Sequence, residues 1–187
     1  MIRTGASLAR HRSKQDIGTP RNFLDAIERR FGRIVWDLAA NAENSVADEH
    51  YYGPGSKYGE NALILPWSGS GRRTHGTLFL NPPFGMIEPW ALRCSEYRDR
   101  AGWLLLLVPA AVGSNWFQQH VAPNAFVFEL VDRLTFVGST QPYPKDLVLA
   151  CFGFGVNGRE PWHWDLSKRK AYERKASAAP AAGGGKT

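Results

Sequence analysis

The sequence predicts an α/β fold in which a mostly parallel sheet carries helices on both faces. Short apolar runs alternate with segments of helical spacing, and this order is typical of strand–helix units with right-handed crossovers. The run at 103–108 is almost wholly apolar, as expected for a central parallel strand that is covered on both faces. A length of 187 residues and a hydrophobic content of 43% fit one domain.

The first helix is predicted directly after Thr19. Thr19 has the side chain of an N-cap, Pro20 suits the first helical position, and Gly32 marks the end. Residues 33–37 then predict the first strand. Apolar residues recur at helical spacing between the two ends of the helix, namely Phe23, Leu24, Ile27 and Phe31.

Residues 38–76 are rich in Gly, Asn and Ser, and they predict irregular structure with a short strand near 49–52. The apolar run at 77–80 predicts a buried strand that ends abruptly at two prolines. A helix is predicted over 87–99, and Pro89 is the candidate for its first helical position.

The second half of the chain completes the predicted sheet. The strand at 103–108 is followed by a short helix through His120 that Ser114 is placed to cap. Strands near 126–131 and 147–154 are predicted to pair antiparallel at an edge of the sheet. His163 stands between two tryptophans in what we interpret as an aromatic closing element.

The charge divides the chain into three parts. Residues 1–14 carry four basic and no acidic side chains, and residues 166–187 carry six basic side chains and one acidic. Because the whole chain has a net charge of +6, the remaining body is slightly acidic. We predict a basic flexible arm over 1–18, a folded domain over 19–165 and a basic, Ala/Gly-rich disordered tail over 166–187. Basic ends suit contacts with DNA phosphates, and solubilising tails are the alternative.

Cysteine usage and hydropathy exclude several classes of protein. Cys94 and Cys151 lie far apart in the sequence, so no zinc spacing or disulfide framework is predicted, and no metal is expected. No apolar stretch is long enough to cross a membrane, and no secretory signal is visible. We therefore expect a cytoplasmic protein without a membrane partner.

The tetrapeptide Asn81-Pro82-Pro83-Phe84 carries the chemistry. An exocyclic amine such as adenine N6 is a poor nucleophile, and two acceptors aimed at its N–H bonds favour its attack on a methyl group. The Asn81 side-chain carbonyl and the Pro82 backbone carbonyl are the predicted acceptors. The two prolines stiffen the turn, and Phe84 offers a stacking face for a base that has left the duplex.

An ordinary turn is the alternative for this tetrapeptide, because Asn-Pro and Pro-Pro pairs are common in turns. Its position at the carboxyl end of a buried strand favours function, since α/β folds bind ligands at that edge of the sheet.

Residues 19 to about 154 resemble the phage-type DNA N6-adenine methyltransferases, a Dam-like family that uses S-adenosylmethionine. The resemblance implies a Rossmann-like methyltransferase fold and site-specific methylation of a flipped adenine in double-stranded DNA. The matching pieces are, in chain order, Thr19-Pro20, Trp36-Asp37-Leu38-Ala39-Ala40, Glu60-Asn61-Ala62-Leu63 with Trp67, the Asn81 turn, Trp103-Leu104-Leu105-Leu106-Leu107-Val108-Pro109, Trp116-Phe117 and Arg133-Leu134-Thr135-Phe136.

The resemblance also implies a set of cofactor contacts. Asp37, at the end of the first strand, is placed to bind the amino group of S-adenosylmethionine. Asn61 occupies a position that is usually acidic and faces the cofactor adenine, and Glu60 is the alternative there. The chain lacks the Gly-rich motif of many such enzymes, and small alanines follow Asp37 instead. The remaining expected cofactor contacts are Thr19, Pro20, Ala39 and Asn44.

Three arginines are candidate DNA contacts. Arg72 and Arg73 lie in a Gly/Ser-rich loop before the 77–80 strand, and Arg133 begins the family-like Arg-Leu-Thr-Phe segment. Solvated surface arginines are the alternative. The resemblance further implies a phage- or prophage-encoded enzyme of a bacterial host. The sequence leaves the oligomeric state open and is compatible with a monomer. The sequence leaves open the recognition site and a restriction partner. Methylation of RNA adenine or protein glutamine, and DNA binding without catalysis, also stay open.

Overall fold

A computed structural model describes residues 17–47, 50–67, 76–99, 102–153 and 157–168. Residues 1–16 of the predicted basic arm (1–18), most of the predicted tail (169–187) and the arginines Arg72 and Arg73 lie outside the described residues. The described residues contain no helix that is both long enough and apolar enough to span a membrane.

The core of the fold is a six-stranded sheet. In chain order the strands are β1 (Ile34–Asp37), β2 (Thr77–Leu80), β3 (Trp103–Pro109), β4 (Ala125–Val131), β5 (Leu147–Phe152) and β6 (Gly158–His163), arranged as β1-β2-β3-β5-β4-β6. Five strands run in one direction and β5 runs against its neighbours β3 and β4. The predicted α/β class with a mostly parallel sheet is confirmed.

One helix covers one face of the sheet. Helix α1 (Arg21–Phe31) buries its apolar stripe against Phe79, Leu105 and Leu149. Gly32 ends the helix with a positive φ of 87°, and the predicted end of the helix at this residue is confirmed. The predicted N-cap is wrong, because the N-cap is Pro20 and the Thr19 hydroxyl makes no capping bond to the helix.

The opposite face is covered by helix α2 (Glu88–Tyr97) and a π-helical turn (Phe117–Val121). Both pack on the other set of strand residues, including Leu80, Leu106 and Val108, so the predicted helices on both faces are present. Ser114 does not cap the short helix: its hydroxyl donates to the Ala111 carbonyl at 2.7 Å.

The antiparallel pair of β4 and β5 is present, but the sheet does not end there. Strand β5 lies between β3 and β4, and β6 adds a further edge strand parallel to β4. Trp162 of β6 and the following Trp164 pack their rings against Phe23 of α1 at centroid distances of 5.8 and 5.2 Å. The aromatic closing element is therefore a strand.

This topology determines where a site can form. The carboxyl ends of β1, β2, β3, β4 and β6 meet at one edge of the sheet. The irregular segment after β1 stays at that edge, where the predicted short strand is reduced to a single bridge between Asp37 and Tyr51. Ligands bind at this edge in open α/β sheets.

Candidate active site

The Asn81 turn lies at the carboxyl end of β2, next to the end of β1. Pro82 is buried and Pro83 is exposed, while Asn81 and Phe84 are half-buried. The turn is stiff, because its two prolines have fixed φ and the Met86 N–H donates to the Pro83 carbonyl at 3.1 Å. The turn is thus held in one conformation at the surface of the sheet edge.

The Asn81 side chain has its two ends in different surroundings. Its Nδ2 donates to the Thr19 hydroxyl at 3.2 Å and lies 3.5 Å from the Ile17 carbonyl oxygen. Among the described residues no group donates to Asn81 Oδ1 or to the Pro82 carbonyl. The two acceptors that the chemistry requires therefore have no donor within this part of the chain.

A cavity of about 200 Å³ opens beside the turn. Asn81 and Pro83 form one wall, and the segment after β1 and the loops through residue 62 form the others. Six residues singled out from the sequence line it, namely Ala39, Asn44, Glu60, Asn61, Asn81 and Pro83. Ala40 also lines it and is one of the small alanines that follow Asp37. The sequence singled out no site role for the other lining residues, which are Leu38, Asn41, Tyr52, Gly53, Pro54, Ala62 and Trp90.

Among the lining residues that were not predicted, Gly53 is one that the sequence does mark, as part of a turn. It has a φ of 146°, and a Cβ at this position would lie 1.6 Å from the Ala40 carbonyl oxygen. The segment Gly53-Pro54-Gly55 marks the turn, but the sequence does not show that this turn packs on the loop after β1. Only glycine permits this approach of two backbone segments at the cavity wall.

Asp37 supports the cavity wall from behind. It is 3% exposed, and its two carboxylate oxygens accept the N–H groups of Ala39 at 3.2 Å and Val46 at 3.0 Å. Burial raises the pKa of this carboxyl to about 6, and the two N–H bonds lower it by less. Asp37 is not among the residues that line the cavity. In the structure it holds the loop that carries Ala39 and Asn44.

The polar lining residues are partly engaged already. Asn44 Oδ1 accepts the Asn41 N–H at 2.7 Å, and Asn61 Oδ1 accepts the Leu63 N–H at 3.0 Å. Both amides therefore shape their own turns while they face the cavity. Glu60 is exposed at the rim of the cavity and is an acceptor-only group when ionised.

Thr19 and Pro20 do not line this cavity. They lie at the start of α1, and the Thr19 hydroxyl bonds to the Asn81 amide. The structure therefore brings Thr19 to the predicted catalytic residue itself.

Phe84 faces an aromatic cluster on another side of the turn. Its ring centroid lies 6.2 Å from that of Phe136 and 5.5 Å from that of Tyr143. Partial burial raises the pKa of the Tyr143 hydroxyl, which therefore stays protonated at neutral pH. Phe136 belongs to the family-like segment, whereas Tyr143 was not predicted from the sequence.

Arg133 stands beside this aromatic cluster on an exposed loop. Its guanidinium lies 3.3 Å from Asp146, and both side chains are more than half exposed. Such a surface pair contributes little, typically below about 1 kcal/mol, so the guanidinium can exchange partners. The preceding residue, Asp132, has a positive φ of 86°, which is uncommon outside glycine.

The two cysteines are part of the core. Burial raises the pKa of the Cys94 thiol and raises that of Cys151 to about 12, so both are protonated at neutral pH. Within the described ranges no group of three or more His, Cys, Asp or Glu side chains is placed to hold a metal ion.

Comparison with known proteins finds similarity both to a curated protein and to solved structures. The chain is 28% identical over 101 residues to a DNA N-6-adenine-methyltransferase of Escherichia phage T1. The match covers 54% of this chain and 38% of that protein. A crystal structure of a predicted O-methyltransferase from Agrobacterium tumefaciens aligns with a TM-score of 0.40 at 16% identity, over 75% of this chain and 85% of that one.

A family model matches most of the chain. The model is described as DNA N-6-adenine-methyltransferase (Dam), and it matches residues 7–149. This range contains the Asn81 turn, the whole cavity wall and the Arg133 segment. The chain belongs to the DNA N-6-adenine-methyltransferase (Dam) family.

Proposed function

We propose that this protein is a site-specific DNA adenine N6-methyltransferase that uses S-adenosylmethionine. The observation that carries the proposal is the Asn81 turn, which follows the strand β2 directly and of which Asn81 and Pro83 line a cavity at the carboxyl edge of the sheet. Family membership supports the same reaction class. The relative from an Escherichia phage supports action on the DNA of a bacterial host.

In the proposed reaction Asn81 and Pro82 act on the amine of the target base. The Asn81 Oδ1 and the Pro82 carbonyl each accept one N–H bond of the adenine N6 group. Two such acceptors favour pyramidal geometry at nitrogen, so the lone pair becomes available as the transition state forms. The proton lost from N6 leaves to water, and no covalent nucleophile of the protein is needed.

The cavity residues fit S-adenosylmethionine in character. Ala39, Ala40 and Gly53 leave room for close approach, and Trp90 offers an apolar wall. Glu60 and Asn61 supply acceptors for an adenine amine, and Asn44 supplies an amide. The lining residues Pro54, Glu60, Asn61 and Pro83 are exposed, so the cavity continues to the surface and a ligand need not be enclosed by its 200 Å³.

When bound, S-adenosylmethionine supplies an electrophilic methyl group. The proposed task of this chain is to hold that donor on one side of the Asn81 turn and the base on the other. Asp37 holds the loop of the donor side, and its carboxylate is the proposed partner for the amino group of the cofactor.

The base has to leave the duplex to reach the turn. Phe84 is the proposed stacking face, and Phe136 and Tyr143 buttress its ring. Arg133, exposed on the neighbouring loop, is the proposed phosphate contact. The same reasoning applies to Arg72 and Arg73, which lie outside the described residues.

The test is transfer of a tritiated methyl group to DNA, RNA and protein by the wild-type chain and by Asn81→Ala. We expect N6-methyladenine in nucleoside digests of the DNA with the wild type, and a loss of at least about a hundredfold in kcat with the variant. Cofactor binding, measured by calorimetry, should stay within about twofold.

Asn41→Ala is the matched control, because Asn41 also lines the cavity but lies outside the turn. Label in RNA or protein alone would contradict the DNA substrate. Full activity of Asn81→Ala would contradict the proposed role of the turn.

A further inference from the structure

We propose that Thr19 is a positioning residue, which together with the Ile17 carbonyl oxygen holds the Asn81 amide so that the Asn81 Oδ1 faces the substrate amine. This inference rests on the proposed function, because it assigns Thr19 to the residue that accepts from the substrate. It differs from the expectation that Thr19 contacts the cofactor.

The Asn81 amide can adopt two orientations that differ by exchange of Oδ1 and Nδ2. The Thr19 hydroxyl alone does not choose between them, since a hydroxyl both donates and accepts. The Ile17 carbonyl oxygen does choose, because it only accepts and lies on the same side of the amide at 3.5 Å. Nδ2 must therefore face Ile17 and Thr19, and Oδ1 must face away from them.

The Ile17–Pro20 segment, here called the strap, is held at both ends. The Gly18 carbonyl accepts the Val137 N–H at 2.9 Å, and the Pro20 carbonyl accepts the first N–H groups of α1 at 3.0 and 3.2 Å. Thr19 itself is only 6% exposed. Its hydroxyl is thus a fixed partner for Asn81 that water does not replace freely.

The orientation matters because the reversed amide would oppose the reaction. Turned through 180°, Asn81 would direct an N–H donor at the N–H bonds of the amine and would offer no acceptor. The Ile17 contact is long, so the 3.2 Å bond to Thr19 is the stronger of the two restraints. Removal of the Thr19 oxygen therefore leaves the amide held mainly by a weak contact.

The experiment compares Thr19→Val, which has the same shape without the hydroxyl, with Thr19→Ser, which keeps the hydroxyl. At saturating cofactor and DNA we expect kcat of Thr19→Val to fall about tenfold, as for one lost hydrogen bond. The Kd for cofactor should stay within about twofold. Thr19→Ser should recover most of kcat. A merely structural role of Thr19 would not lower kcat while leaving the Kd for cofactor unchanged.

A spectroscopic measurement gives a second readout that does not depend on activity. The side-chain amide protons of Asn81, observed by NMR of labelled protein, should exchange with water faster in Thr19→Val than in the wild type or in Thr19→Ser. If Thr19→Val does not fold, Thr19→Ala takes its place in both measurements, with the same expected result.

Three outcomes would overturn the inference. They are an unchanged kcat in Thr19→Val, an equal loss in Thr19→Val and Thr19→Ser, and a weakened Kd for cofactor with unchanged kcat. A wild-type chain that transfers no methyl group would contradict the proposed function instead. The exchange of the Asn81 amide protons would then still decide whether Thr19 holds that side chain.

Discussion

The buried carboxyl of Asp37 predicts a pH dependence of stability that a single substitution isolates. Its pKa is about 6 in the folded chain and about 3.9 in an unfolded one. Burial is the main cause, and the N–H groups of Val46 and Ala39 offset only part of it. Between those two pH values the folded chain keeps a proton that the unfolded chain has lost.

This proton determines the direction in which stability changes with pH. Stability contributed by the protonated carboxyl is complete below about pH 4 and is lost as the pH rises through about 6. A pKa difference of about 2 corresponds to about 3 kcal/mol. The variant Asp37→Asn does not titrate, so the wild type should lose about 2 kcal/mol of this relative to the variant between pH 4 and pH 7, because the unfolded carboxyl is still partly protonated at pH 4.

The measurement is urea unfolding of both proteins at several pH values, read as the difference in the free energy of unfolding. Other titrating groups cancel in that difference. Asp25→Asn, at an exposed carboxyl on α1, controls for the loss of one negative charge. A difference that stays constant within about 0.5 kcal/mol from pH 4 to pH 7 would refute the reasoning, because the carboxyl would then gain nothing from holding its proton in the folded state.

Three further substitutions test other parts of the site. Gly53→Ala should destabilise the fold by about 1–3 kcal/mol and weaken cofactor binding, because its Cβ overlaps a backbone carbonyl. Gly55→Ala also puts a side chain at a positive φ (78°), but its Cβ would meet only the Tyr51 hydroxyl at 3.7 Å, so this variant should retain cofactor affinity. Phe84→Leu should cost about 1–3 kcal/mol in DNA turnover with unchanged cofactor affinity, and an equal loss of both would contradict the stacking role. Arg133→Ala should reduce the salt slope of DNA binding by about 1. Arg159→Ala, at the opposite end of the sheet, should leave the slope unchanged.

The sequence predicted those elements whose own apolar pattern shows which of their sides are covered. Strand β3 is apolar on both faces because both faces are covered, and α1 carries one apolar stripe because one side meets the sheet. Strand β6 was missed because its sequence Gly-Arg-Glu-Pro-Trp-His contains charges and Pro161. Proline is tolerated in an edge strand, and β6 pairs only with β4.

The site was predictable where it lies on regular structure and not where it depends on packing between loops. Asn81 was identified because it follows a buried strand directly. Gly53 and Trp90 were not, because their place at the cavity wall depends on how the irregular segment folds back on the end of β1. Similarly, Asp37 was identified at the end of β1, but its two backbone donors come from a loop with no sequence signature.

The proposed sites for the methyl donor and for the target base lie on different sides of Asn81. The loops through residue 62 form the cavity on one side, while the aromatic cluster of Phe84, Phe136 and Tyr143 stands on another. The strap contacts both the turn, through Thr19, and the loop that carries Phe136, through the Val137 bond to Gly18. A shift of this loop would therefore reach the Asn81 amide through the strap, without passing through the proposed cofactor cavity. The proposed DNA contact at Arg133 thus has a short physical route to the orientation of the proposed acceptor.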